Sequence, residues 1–369
     1  MNAYDDWLLE QAASREEAGL TRRLVDSDRG EPLLDLAGND YLGLARDPRV
    51  VAGALRAAEQ YGAGAAASRL VSGTLSIHSE LERRLAGFTG YDAALVLSTG
   101  YHANLSVITA LADADTLIVS DGHIHASMVD ACRLSRGTVT VVPHNDVDAV
   151  RTALANRTQT RALVLVESIY SVLGDAAPFE ALAALCDEYD ALLVADEAHG
   201  LGVAGPGGRG LLWGGPRTNV VATATLSKSL GSQGGAVLCS PAVREHLVNR
   251  ARPFIYDTGL APAAAGAALA ALDVIEAEPD RVARVHHNAR LLAEACEVDV
   301  PAGAVLSVRM PGPREAVAAV AAAAASGVRI GCFRPPSTPD GISRLRLTAH
   351  AHHTDDELAL AAKVLREVR

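Results

Sequence analysis

The chain has 369 residues, with 44 acidic against 33 basic side chains and a formal charge of −11. That balance excludes a general nucleic-acid binder, which needs a basic face to displace counterions. No apolar run approaches the roughly 18 residues of a membrane span, and the length predicts two or three domains at about 150 residues each.

Residues 5–24 carry Trp7, Leu8, Ala12 and Leu20 among acids and arginines, which predicts an amphipathic helix packing an N-terminal arm onto the body. The opening Met1-Asn2-Ala3-Tyr4-Asp5-Asp6 puts acid where a secretion signal needs base. Cys132, Cys186, Cys239, Cys296 and Cys332 are odd in number and never spaced as CxxC, which argues against a disulfide framework or a thiolate zinc site. The expected location is the cytoplasm.

A turn-rich segment, Gly38-Asn39-Asp40-Tyr41-Leu42-Gly43, follows the arm. From about residue 90, short apolar runs recur at 93–97, 116–119, 139–142, 162–166, 192–195, 220–224 and 236–238. Most are separated by helical patterns, such as 179–189. Runs that are apolar throughout predict strands buried on both faces. Their alternation with helices predicts a largely parallel α/β sheet. A long helix over 261–277 then leads to strands at 305–308, 328–330 and 345–347, an alanine-rich helix at 316–325 and a closing helix at 355–368. The expected division is an N-terminal arm (1–45), a large α/β domain (46–262) and a smaller C-terminal α+β domain (263–369).

Ligands of open α/β sheets sit at the carboxyl ends of the strands, so the residues following each run are the candidates. Lysine occurs only at Lys228 and Lys363. Lys363 falls in the closing helix. Lys228 follows a predicted buried strand in Thr225-Leu226-Ser227-Lys228-Ser229-Leu230-Gly231, which suits an amine that forms a Schiff base. A phosphate anchor fits that position equally well, although no GxxxxGK[ST] loop is present.

Asp196 ends another run, in Asp196-Glu197-Ala198-His199, where an acid could keep the pyridine nitrogen of pyridoxal phosphate (PLP) protonated. The same four letters match a helicase motif, but the phosphate loop and basic track of a helicase are missing. Ser98-Thr99-Gly100-Tyr101 precedes a helical stretch and offers backbone N–H groups to a phosphate. His123 and His125 follow the run at 116–119. With His199 they lack the spacing of a metal site, so no metal is expected there, and an imidazole stacked on an aromatic cofactor suits the context better. His350, His352 and His353 lie beyond the last strand and are expected to be solvated.

Taken in order, these segments resemble the α-oxoamine synthases, fold-type I PLP enzymes that condense an amino acid with an acyl thioester and release CO₂. The resemblance runs from Asn39-Asp40-Tyr41-Leu42-Gly43 to Arg344-Leu345-Arg346-Leu347-Thr348. It passes through Gly62, Gly64, Ser68-Arg69, Ser72-Gly73, His78 to Glu82, Asp196 to His199, Thr225 to Lys228 and Phe254 to Thr258.

The resemblance implies that Lys228 carries the cofactor, Asp196 pairs with its pyridine nitrogen and His125 stacks on its ring. It implies that His199 and Ser171 approach the phenolic oxygen, and that Gly100, Tyr101 and Thr225 line the cofactor. Thr258 would reach the phosphate from the partner subunit of a homodimer. Arg346 would grip the amino-acid carboxylate, with Arg22 (or Arg23), Asn39 and Ser337 near the substrate.

Within the family, the compact chain and the lysine loop point to members that join L-alanine to a pimeloyl group, on CoA or a carrier protein, in biotin biosynthesis. Glycine with acetyl-CoA is the alternative pair, and a non-catalytic regulator on the same fold is an alternative of another class. One departure is visible. The family's usual acid between Ser171 and Gly174 is missing from Ser171-Val172-Leu173-Gly174, while Asp175 remains.

Overall fold

The protein is described from a computed structural model, which covers residues 2–22, 24, 26, 33–215 and 219–368. Helix α1 (Ala3–Glu17) is capped by the Asn2 side chain, which accepts from the Tyr4 and Asp5 N–H groups. It stops at Glu17 rather than near residue 24, where Gly19 turns the chain at φ +68°. The expectation that it packs an arm onto the body is corrected, since α1 buries none of its residues. Trp7, Leu8 and Leu9 are consecutive and so spread around the helix instead of forming a stripe. All three are more than half exposed.

After β1 (Leu34–Asp35), α2 (Pro48–Tyr61) and α3 (Ser76–Thr89), strands and helices alternate. They are β2 (Ala93–Leu97), α4 (Gly100–Leu111), β3 (Thr116–Asp121), α5 (Ala126–Leu134), β4 (Thr138–Val142), α6 (Val147–Ala155), β5 (Arg161–Glu167), α7 (Phe179–Glu188) and β6 (Leu192–Asp196). β7 (Val220–Thr225) and β8 (Gly235–Cys239) follow. These strands form one seven-stranded sheet in the order β2-β8-β7-β6-β5-β3-β4. β3, β7 and β8 are buried at every position, as a sheet covered on both faces requires.

β4, β3, β5, β6 and β7 run parallel to one another. β8 runs antiparallel to both β7 and β2. The connection from β7 to β8, residues 226–234, is too short for the crossover that a parallel pair needs.

The chain continues through α8 (Pro241–Arg250), α9 (Arg252–Ile255), α10 (Pro262–Ala277) and α11 (Asp280–Cys296). β9 (Val305–Arg309), α12 (Pro313–Ala325), β10 (Val328–Arg329), β11 (Gly331–Phe333), β12 (Arg344–Thr348) and α13 (Asp355–Val368) complete it. β11, β12 and β9 make an antiparallel sheet, while β10 pairs with β1. α10 crosses α2 at Gly266 and Gly53, where a Cβ on Gly266 would lie 2.5 Å from the Gly53 carbonyl oxygen. No helix among the described residues is long and apolar enough to cross a membrane.

A second correction concerns the turn after β12. His350 and His353, expected to be solvated, are buried, and only His352 is exposed. The buried amide of Asn288 on α11 donates to the His350 and His353 carbonyls at 2.7 and 3.3 Å, which draws the turn inward. Burial, reinforced by the neighbouring imidazoles, pushes His350 down to about 3 and His353 down to about 4.

Candidate active site

The register of the sheet assembles the core of the site. Glu167, the last residue of β5, pairs with Asp196, the last residue of β6, and Asp196 pairs with Thr223 on β7. Residues at one level of adjacent parallel strands point to the same face, so Glu167, Asp196 and Thr223 form a row. All three are buried. The chain leaves β7 at Thr225 and places Lys228 in the following turn.

The side of the row near α4 is closed by Asn104. Its Nδ2 donates to Asp196 Oδ2 at 2.7 Å and to Ser127 Oγ at 2.8 Å. Its Oδ1 accepts from Thr223 Oγ1 at 2.6 Å. Because Ser127 Oγ already accepts from Asn104, its proton is free for His125 Nδ1 at 2.7 Å. Nδ1 also accepts from the Ser127 N–H at 3.2 Å, which leaves the His125 proton on Nε2. His125 is the N-cap of α5, with its ring exposed at the mouth of the site.

Lys228 begins a second chain of contacts. Its Nζ lies 3.0 Å from His199 Nε2, and His199 Nδ1 lies 2.7 Å from the Tyr41 hydroxyl. That hydroxyl donates to Asn39 Oδ1 at 3.0 Å, and so accepts from His199 Nδ1–H. His199 Nε2 therefore turns its lone pair toward the lysine. Asn39 Oδ1 also accepts from both terminal nitrogens of Arg346 at 3.1 Å, which fixes the orientation of the amide. Arg346 donates from Nε to the Ser171 carbonyl at 2.7 Å and lies over the Phe333 ring. A continuous polar path thus joins Lys228 to Arg346.

Burial pulls the Lys228 amine down to about 8, against the pull of Asp196 and Glu167. Burial, followed by the Asp196 charge, pushes Glu167 up to about 8. His199 is held well below the ordinary imidazole range, first by burial and then by Lys228 and Arg346.

The start of α4 turns the backbone N–H groups of its first turn toward the end of β7. Thr99 is the N-cap, and its hydroxyl accepts from the His102 N–H at 3.1 Å. Gly100 and Tyr101 form the first turn, with Gly100 against Thr225. Gly235 allows this approach, because a Cβ there would lie 2.2 Å from the Thr99 carbonyl oxygen. The Ser98 hydroxyl bonds to Asp257, which also contacts His102 at 3.1 Å.

The expected residues divide into groups. Lys228, His199, Asn39, Arg346 and Ser171 are joined by hydrogen bonds, as are Asp196 and His125 through Asn104 and Ser127. Ser171 also donates from its N–H to Glu167 Oε2 at 2.8 Å. Thr225 and Gly100 sit together, while the Tyr101 hydroxyl donates to Asp130 at 2.6 Å. Arg22 donates to Ser337 Oγ at 3.0 Å, and both residues are exposed and bonded to none of the others. Thr258 is exposed and bridges Ser68. Arg23 lies outside the described residues. Leu173, in place of the family's acid, packs partly buried against the core, and Asp175 is held by His144 and Asn145.

Sequence reasoning missed Glu167, Asn104 and Tyr41. Glu167 carried a usable signal, since it directly follows the run at 162–166. Tyr41 had none beyond lying in the turn-rich segment 38–43, and Asn104 none beyond following the Gly100 turn.

The donor set matches the needs of one group. An amine for an aldehyde, a buried carboxylate for a pyridine nitrogen and a helix N-terminus for a phosphate stand at the ends of adjacent strands, and the residues fit PLP.

The family model for aminotransferases of class I and II matches residues 31–365. The chain is 54% identical to the 8-amino-7-oxononanoate synthase of Mycobacterium sp. (strain KMS), over 98% of this chain and 96% of that one. It is 52% identical to the enzyme of the same name from Mycobacterium marinum, over 98% and 94%. The serine palmitoyltransferase of S. paucimobilis, solved with PLP–myriocin bound, superposes with a TM-score of 0.93 at 27% identity, covering 100% of this chain and 98% of that one.

Proposed function

We propose, from the premise that the chain belongs to the class I and II aminotransferase family, that it is a PLP-dependent acyltransferase. In this reading it joins L-alanine to a pimeloyl thioester and yields 8-amino-7-oxononanoate. The observation that carries the reading is Lys228, a half-buried amine held by His199 beside the Glu167–Asp196 row. The substrate pair is supported by the 8-amino-7-oxononanoate synthases at 52–54% identity.

PLP would be held by Lys228 at its aldehyde carbon, by Asp196 at its pyridine nitrogen and by the first turn of α4 at its phosphate. His125 would lie on its ring, with Ser171, His199 and Thr225 around it. When bound, the cofactor supplies an electron sink for the charge left at the amino acid's Cα.

The residues of the chain supply the rest. Arg346, held by Asn39 and the Ser171 carbonyl, binds the alanine carboxylate. Arg22, bonded to Ser337, would contact the substrate, with Ser337 near it. Lys228, with an amine near neutrality, takes the Cα proton. A bond then forms between Cα and the thioester carbonyl carbon, the CoA or carrier thiol leaves, and the alanine carboxylate departs as CO₂. Lys228 returns a proton to the same carbon.

We read the protein as a cytoplasmic homodimer in which Thr258 of one chain meets the site of the other. We divide the chain into an N-terminal arm (1–45), a large α/β domain (46–262) and a C-terminal α+β domain (263–369).

The test compares alanine plus pimeloyl-CoA with glycine plus acetyl-CoA, and wild type with Lys228→Ala. The expected result is preference for the first pair and loss of both turnover and the cofactor's visible band in the variant. A Lys228→Ala enzyme that still turns over overturns the site. Preference for the second pair overturns the substrates.

A further inference from the structure

We propose that His350, His352 and His353 form a binding site for one divalent transition-metal ion of the zinc class, apart from the active site. One ring nitrogen of each of the three lies within 4.8 Å of the others. The rings sit 4.6–5.4 Å apart between centroids.

The site is built, not a chance gathering of side chains. The turn carrying it is tied down at several points. Asn288 holds the His350 and His353 carbonyls, Arg284 donates to the His353 carbonyl at 3.1 Å, and the Ala351 N–H donates to the Tyr41 carbonyl at 2.7 Å.

The tautomer of His350 follows from its neighbour. Thr348 Oγ1 spends its proton on the Gly38 carbonyl at 2.7 Å, so it accepts from His350 Nε2 at 2.9 Å. The lone pair of His350 is therefore on Nδ1. A hydrogen-bond acceptor that orients the non-ligating nitrogen is the usual outer support of a metal-binding imidazole, and the Thr348 hydroxyl takes that part here.

His353 supplies the independent observation. Its Nδ1 is buried and has no hydrogen-bond partner, while the residue is only 3% exposed. A ring nitrogen shut away from water and left unpaired is unfavourable, and a metal ion would satisfy it. His352 is exposed and gives an ion access, with its ring seated against Gly43. Asp35 and Glu357 are the acidic groups that face the cluster.

Three imidazoles with an open fourth position match zinc, and cobalt, nickel or copper by the same donor chemistry. Metal–nitrogen bonds of about 2.0–2.1 Å place the ligand atoms roughly 3.4 Å apart. Reaching that spacing takes small side-chain adjustments, for which the exposed His352 has the most room.

The test uses PLP-loaded, untagged full-length protein, stripped with a chelator and desalted, then titrated with zinc chloride by calorimetry and thermal melting. One zinc per chain and a higher Tm are expected. His352→Ala, at an exposed position that folding tolerates, and His353→Asn should each weaken binding at least about tenfold, while His286→Ala should not. Absence of stoichiometric binding overturns the proposal, as does unchanged binding in both cluster variants.

Discussion

Asn104 carries more of the site than its chemistry suggests. It is neither acid nor base, yet its one amide joins Asp196, Ser127 and Thr223, and through Ser127 it sets the tautomer of His125. It is a positioning residue. A hydrogen bond to a charged group is worth about 1.5–3 kcal/mol, so Asn104→Ala should weaken PLP affinity about 10–100-fold. The titration of apoprotein with PLP, followed in the visible range, checks this. A variant that folds and binds PLP as wild type would remove Asn104 from the account. The sequence could not single out Asn104, because an asparagine on an apolar helix is recognised only by what it faces. Lys228 and Asp196 were legible because strand ends are where such sheets bind ligands, and the same rule would have reached Glu167. The burial of His350 and His353 was not legible, since it depends on Asn288, more than sixty positions away.

At the scale of elements, the strands of the main sheet were located by their short, largely apolar runs. The burial on both faces expected of them fails for β4, an edge strand with residues 138, 139 and 141 exposed. β1 and β11 span two and three residues, too short for any pattern, and exist only through the partners they pair with. The loops at the strand ends are held by contacts of a different kind. His144 follows β4 and bonds to Asp121 at the end of β3 at 3.1 Å and to Asp175 beyond β5 at 2.9 Å. Burial alone would lower its pKa, but the two carboxylates outweigh burial and raise it to about 9. A raised pKa means the folded state holds the proton more tightly, so the stabilisation is full below about pH 6.5 and fades as pH rises through about 9. Asp175 is half exposed, which discounts the effect to about 1–2 kcal/mol. Melting curves from pH 6 to about 10 should show wild-type Tm falling across this window and His144→Gln falling less. Equal slopes would show that the bridge contributes nothing.

At the scale of the molecule, the question is what covers the mouth of the site. Tyr101, at the phosphate end, is 41% exposed. The bridge between Ser68 and Thr258 joins two segments that present Leu70, Val71 and Tyr256 at 52%, 81% and 71% exposure. Large apolar side chains held outward on two joined segments are characteristic of a surface made for another protein chain. A second copy is the economical partner, because a two-fold interface lets one patch serve both sides. Thr258 sits within this patch, which fits the proposed role of Thr258 across a dimer interface. Val71→Asp places a charge where apolar packing is needed. It should convert the protein from twice the chain mass to the chain mass in sedimentation velocity, and reduce turnover at least about tenfold through loss of the shared site. A Val71→Asp protein that remains dimeric would move the interface elsewhere. A fully active monomer would go further and show that each chain completes its own active site, with no role for Thr258 across the interface.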